Sequence, residues 1–261
     1  MKFYLGTHQP HWLADARFAE VPLFVSRRAL ARYATMPRAV APWSLDSGGF
    51  TELSMHGKWT LSPRDYAAEV RRYRDEIGML EWAAPQDWMC EAVMLAKTGL
   101  SIPEHQRRTV ENLLELRSIA PDLPFIPVLQ GWASGDYHAH VEAYDRAGID
   151  LRREPTVGVG TVCRRQNTMS ASLLMHSLAR EGLRLHGFGF KATGLAMCAD
   201  SMVSSDSLAW SYAARRQQPI QGHREPGGGR PRGHINCANC AEFALDWRAD
   251  LLGRLEPRHA A

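Results

Sequence analysis

Apolar residues recur along this chain in short runs the length of a buried strand, and most intervals between them carry helical spacing. The runs predict strands over residues 3–6, 23–26, 43–46, 80–83, 125–130, 156–159, 185–190 and 198–203. Between them, Tyr66, Val70, Tyr73 and Ile77 fall on one helical face. Ser62-Pro63 just ahead supplies an N-cap followed by proline at the first helical position. A second helix is predicted over 104–119 with Val110, Leu113 and Leu114 inward, and a third over 168–181, stopped by Gly182. The segment 51–61 alternates around His56-Gly57 and predicts a β-hairpin inserted after the third strand.

Eight strands in 261 residues, mostly separated by helices, predict an α/β fold of the (β/α)8 TIM-like barrel type. A doubly wound open sheet has the same periodicity and stays open as the alternative. Two features depart from a regular barrel: the connection 8–22 carries no helical pattern, and the last two predicted strands have a very short link.

Composition changes this picture little. A hydrophobic content of 45% and a charged content of 23% are ordinary for a globular chain, and the length suits one large catalytic unit. Residues 1–215 are expected to form the barrel, and 216–261 a basic loop, a metal-binding segment and a C-terminal helix packed on it. The sequence contains neither a run long enough to cross a bilayer nor a secretory pattern, so a cytoplasmic location without a membrane partner is expected. The net charge of +3 permits nucleic-acid binding without requiring it. Of five cysteines only Cys237 and Cys240 are close together, which suits reduced thiols and one metal site better than a disulfide framework.

The informative polar residues lie at or just past the carboxyl ends of predicted strands. Asp46 follows "APWSL", Asp87 follows "LEWAAPQ", Gln130 follows "FIPVL", Gly158 and Gly160 end "TVGVG", Lys191 follows "GFGF", and Asp206 follows "SMVSS". In a barrel those ends converge on one mouth, where active sites sit. Carboxylates around one pocket suit chemistry at an acetal-like carbon, with one acid as nucleophile and a second moving protons. Metal chelation, as in a zinc-dependent barrel hydrolase, is the competing reading and would recruit His8 and His11 of "THQPHW".

Near the C-terminus, "GHINCANCAEF" places His234, Cys237 and Cys240 at metal-ligand spacing before an amphipathic helix. His223 is the expected fourth ligand and Cys198 a weaker one, and a closed set of four implies structural zinc. Between them runs a Gly/Arg-rich loop; Arg215, Arg216, Arg224, Arg230 and Arg232 could follow a phosphate backbone. Arg164 and Arg165, after the sixth strand, are better placed for that task.

"LDSGGF" (45–50), "PQDWMCE" (85–91), "PVLQG" (127–131), "VGVG" (157–160) and "SSDSLAWSYAAR" (204–215) together resemble the tRNA-guanine transglycosylase superfamily. The wording is most similar to its compact bacterial and phage branch, the DpdA-like DNA 7-deazaguanine transglycosylases. The resemblance spans roughly 43–245 and implies exchange of guanine in a polynucleotide for a free 7-deazaguanine base such as 7-cyano-7-deazaguanine. DNA is the favoured substrate, with tRNA, as in queuine- or archaeosine-type exchange, the alternative. It further implies Asp206 as the nucleophile at C1′, with Asp200 its rival, and Asp46 as the proton-transfer acid. Asp87, Gln130, Ser47, Lys191 and the backbone of Gly158 and Gly160 would then hold the substrate, with Trp88, Met89 and Met197 as apolar faces for the purine. The superfamily also carries a structural zinc near this point, with a cysteine-richer spacing, and its members often dimerise; a helper protein is a further expected partner.

Overall fold

The computed structural model describes residues 1–161, 169–190, 192–220 and 236–255. Its strands are β1 (Lys2–Thr7), β2 (Leu23–Ser26), β3 (Trp43–Asp46), β4 (Leu80–Ala83), β5 (Val128–Leu129), β6 (Val157–Val159), β7 (Leu185–Gly187) and β8 (Ser204–Ser207). They form one eight-stranded sheet in the order β4-β3-β2-β1-β8-β7-β6-β5, with every pairing parallel. The two edges meet at a single parallel bridge, Ala83 to Phe125. There the Ala83 N–H donates to Pro124 O at 3.0 Å and the Ile126 N–H to Ala83 O at 3.2 Å. The sheet therefore curls until its edges touch, without a full ladder between β4 and β5. Pro124 and Pro127 bracket this contact and have no N–H to extend it, which also keeps β5 to two residues.

The helices are α1 (Arg27–Leu30), α2 (Gly49–His56), α3 (Pro63–Ile77), α4 (Ala92–Thr98), α5 (Ile102–Ile119), α6 (Ser134–Arg146), α7 (Met169–Arg180), α8 (Ala192–Cys198), α9 (Ala209–Ala214) and α10 (Ala241–Leu255). α3 begins where the sequence placed it, with the Ser62 hydroxyl accepting from the Asp65 N–H at 3.1 Å, and it buries the predicted face. α5 starts earlier than expected, at the Ser101 cap, and its inward residues are Val110, Leu113 and Leu116; Leu114 faces solvent. The connection 8–22 holds only two short 3-10 turns, as the missing helical pattern implied.

Two further expectations fail. The segment 51–61 is no hairpin: Gly48 and Gly57, both in the left-handed region, bracket helix α2. Left-handed glycine serves a hairpin turn and a helix C-terminus equally, so His56-Gly57 could not choose between them. Glu52 decides it from outside the segment, since its buried carboxylate accepts from Thr60 N–H and hydroxyl at 3.2 and 2.6 Å and from Arg28 at 3.0 Å. The expected strand 198–203 is instead the end of α8 and a 3-10 turn, and the strand is Ser204–Ser207, fully buried and entirely polar. With that shift, the short final link becomes a connection long enough to hold α8.

The large outer core packs helices on the sheet around Trp12, Trp43, Trp210, Tyr66 and Tyr73. α10 contributes Phe243, Ala244 and Leu251 to it, and Trp247 lies 6.2 Å from the Phe3 ring. A separate inner cluster joins Tyr4, Phe24, Trp82 and Ile126, with Phe188 against it. Trp82 of β4 and His186 of β7 are far apart in the strand order, yet their rings are 4.7 Å apart. Such rings meet only across the concave face, so this layer fills the interior of the curl.

Among the described residues, no helix is long and apolar enough to cross a membrane.

Candidate active site

Above the inner aromatic layer, at the carboxyl ends of the strands, lies a cavity of about 270 Å³. Asp46, Asp87, Gln130, Gly160 and Asp206 all line it, brought from five separate strand ends. Asp200, exposed in the 3-10 turn 199–201, does not.

Asp206 sits on β8 opposite Tyr4 of β1. Its Oδ1 accepts from the Gly189 N–H at 2.9 Å and lies 3.3 Å from Nε2 of His186. Gly189 has φ of +65°, a conformation that turns its amide towards the strand and that side-chain-bearing residues rarely adopt. The neighbouring serines are satisfied too: the Ser205 hydroxyl donates to Gly187 O at 2.8 Å, and Ser204 meets His186 at 2.9 Å. Ser204 and Ser205 find their partners in β7 and the Ser207 hydroxyl accepts from the Ala209 N–H at 3.3 Å, which makes burial of this polar strand tolerable.

Asp46 ends β3 in register with Ser26. Desolvation pushes its pKa above the ordinary carboxylate value and the charge of Asp206 adds to this, while the Ser26 hydroxyl and the Gly48 N–H act the other way. The acid is thus biased towards holding a proton.

Asp87 is more deeply enclosed. Burial drives its pKa up to about 7; the Gln130 hydrogen bond opposes the rise, and the charges of Asp46 and Glu91 reinforce it. Gln130 donates from Nε2 to Asp87 Oδ2 at 2.5 Å, and its Oε1 accepts from the Thr161 hydroxyl at 2.6 Å, so the amide has one sensible orientation. Ser47 is buried behind Asp87, 3.5 Å from Oδ1, and does not line the cavity. Gly160 makes room for this network, because a Cβ there would stand 2.2 Å from Gln130 Nε2. At Gly158 a Cβ would come within 2.5 Å of the Phe188 ring. The N–H groups of both glycines donate to β5-segment carbonyls, Pro127 O and Leu129 O, at 2.9 Å. Both N–H groups are thus engaged within the sheet, and the missing side chains leave space at the cavity.

Of the apolar faces expected for a purine, only Met89 lines the cavity. Trp88 packs with Leu53 and Met94 and lies under Arg108, and Met197 belongs to α8, away from the cavity. The walls are Phe24, Phe50, Phe188 and Leu208, with Phe50 and Leu208 exposed at the rim. Glu91, Thr161, Gly189 and His186 were also missed. Glu91 had a signal, since it closes the same "PQDWMCE" run as Asp87; His186 had none, because one histidine in an apolar strand reads as core.

His8 and His11 do not line the cavity. His8 Nε2 is 2.6 Å from Asn239 Oδ1 and its ring stacks on Trp210, while His11 packs edge-on against Trp12. The histidine-based metal site of a barrel hydrolase is therefore not assembled here. Cys237 and Cys240 are buried at the start of α10, with Cys240 N–H donating to Cys237 O at 3.1 Å. N–H groups also face the sulfurs: Ile220 is 3.4 Å from that of Cys237, and Glu242 and Phe243 address that of Cys240. Cys198, the weaker ligand candidate, instead donates to Gly194 O at 3.2 Å. Lys191, Arg164, Arg165, His223, His234, Arg224, Arg230 and Arg232 lie outside the described residues. Arg215 and Arg216 are exposed, Arg216 over the Tyr212 ring at 4.0 Å.

No curated protein matches the sequence. A family model does: the one described as DpdA, DeoxyPurine in DNA protein A, aligns with residues 1–258, which takes in every strand of the sheet and every acid of the cavity. The chain belongs to the DpdA family.

Proposed function

We propose that the protein is a pentosyltransferase that exchanges guanine in DNA for a 7-deazaguanine base through a covalent aspartyl-nucleotide intermediate. The observation that carries this reading is the meeting of Asp46, Asp87, Asp206 and Gln130 in one base-sized cavity of a DpdA-family chain. The curled sheet is read as a TIM-like barrel loosened between β4 and β5, with its chemistry at the carboxyl ends of the strands.

The target nucleotide must first leave the duplex stack, at a cost of about a few kcal/mol. Asp87 and Gln130 then hold the polar edge of the purine, and Phe24, Phe188 and Met89 supply apolar surface. An Asp206 carboxylate oxygen forms a bond to C1′ as the C1′–N9 bond breaks, and its electron pair leaves with the base. Asp46, whose pKa burial pushes upward, gives its proton to the departing guanine. A 7-deazaguanine enters, Asp46 takes back the N9 proton, and N9 attacks C1′ to release the Asp206 carboxylate. Atoms and charge balance without nucleotide or oxidant.

A structural zinc on Cys237, Cys240, His234 and His223 is part of the proposal. What supports it is the pair of buried cysteines side by side at the start of α10, at a spacing that suits two ligands of one ion. Bound there, zinc would tie the start of α10 to the chain segment that holds His223 and His234 and take no part in the exchange.

The test is incorporation of labelled guanine and of 7-cyano-7-deazaguanine into DNA and tRNA in parallel, with wild type and Asp206→Asn. Incorporation into DNA alone, and only by wild type, is the expected result. Label in tRNA alone would move the substrate, and label in neither polymer would sink the exchange reaction.

A further inference from the structure

His186 takes no step in this scheme, yet it is a wholly buried titratable side chain touching the proposed nucleophile. Four rings enclose it: Tyr4 and Phe24 at 5.8 Å, Trp82 and Phe188 at 4.7 Å. In such a cage phenylalanine would pack at least as well, and a polar ring is costly unless its nitrogens are bonded. Both are. Nδ1 lies 2.9 Å from the Ser204 hydroxyl and Nε2 lies 3.3 Å from Asp206 Oδ1.

The chemistry of the partners fixes the tautomer. An ionised carboxylate only accepts, so Nε2 carries the hydrogen, and in the neutral ring Nδ1 then accepts from the Ser204 hydroxyl. The reversed ring would set a bare nitrogen lone pair against the carboxylate. His186 pairs in register with Ser204 across β7 and β8, so the sheet itself holds the relay of Ser204, His186 and Asp206 in line.

We infer that His186 is a positioning residue which, with the Gly189 N–H, clamps Oδ1 of Asp206 and leaves Oδ2 as the atom that bonds to C1′. Both donors reach Oδ1, and among the described residues no hydrogen bond is made to Oδ2. With one oxygen held by two donors, the carboxylate cannot swing, and the second oxygen meets the sugar in one orientation. The inference rests on the exchange reaction proposed above.

Three variants separate positioning from packing. His186→Phe keeps the ring and its cage but removes both nitrogens. His186→Gln restores a donor near Nε2, and Ser204→Ala frees the tautomer. The readout is the rate of covalent protein–DNA adduct formation, alongside melting temperature and KM for the incoming base. His186→Phe should melt no lower than wild type yet form adduct on the order of 10–100-fold more slowly, the scale on which outer partners of a reacting group act. KM for the base should hardly move. His186→Gln should recover much of the rate, and Ser204→Ala should fall between.

Nitrogen-15 NMR of the imidazole, assigned by difference against His186→Gln, should show hydrogen on Nε2 and a bare Nδ1; this readout needs no activity. Wild-type adduct rates in His186→Phe, or the opposite tautomer, would overturn the assignment. An adduct absent even from wild type would instead remove the exchange reaction beneath it, and the role of His186 would fall with it.

Discussion

Asp87→Asn is the most informative single change for the electrostatics of the cavity. The carboxyl titrates at about 7 against an ordinary value of 3.8, and the largest cause is burial. Lifting the pKa from 3.8 to about 7 corresponds to about 4 kcal/mol between its two protonation states. The folded-state pKa is the raised one. The folded protein therefore holds an extra proton between about pH 4 and pH 7, and stability from this group falls as pH rises across that window. The full cost stands above it. Asparagine keeps the shape and an acceptor for Gln130, and removes the charge that Asp46 and Glu91 oppose. Because the neutral amide still loses hydration on burial, we expect a gain on the order of 2 kcal/mol at pH 8, shrinking to almost nothing near pH 4. Urea unfolding of both proteins at the two pH values, with unchanged m, measures this directly. Equal differences at both, or a less stable variant at pH 8, would refute a desolvated carboxyl at this position. The same variant should exchange bases poorly despite its stability, because the purine edge loses its anionic acceptor.

Gly160→Ala drives a methyl into the Gln130 amide, so it should raise KM for the base and cost ~1–3 kcal/mol, read by steady-state kinetics and melting. Glu52→Ala removes the acceptor of the Thr60 N–H and hydroxyl and the partner of Arg28, while Arg27 keeps its pair with Glu69; a loss of ~1–3 kcal/mol in urea unfolding is expected, and near-neutrality would mean α2 is held by something else. Elemental analysis should find roughly one zinc per chain, with Cys237→Ser lowering both metal content and melting temperature. An equally stable protein that never binds zinc would remove the metal from the proposal.

Much of this molecule is dictated locally and is therefore legible in the chain. The α3 cap at Ser62-Pro63 and the face Tyr66, Val70, Tyr73, Ile77 depend on neighbours a turn away, and the fold uses them as written. Asp46, Asp87 and Gln130 could be placed at strand ends because an apolar run that stops in a polar residue marks the end of its own strand. Tertiary structure decided what such local rules leave open. β8 consists of Ser-Ser-Asp-Ser, which no hydropathy pattern marks as a buried strand; it becomes one because β7 offers partners for Ser204 and Ser205 and the Ala209 N–H meets Ser207. Gly57 ends a helix instead of turning a hairpin because Glu52 finds Arg28 on a preceding helix and Thr60 across the turn. His186 looks like core in sequence, and core it is. Only the closing of the curl, which sets β7 beside β8 and encloses one imidazole in four rings, points its nitrogen at the acid that the chain brings there some twenty residues later.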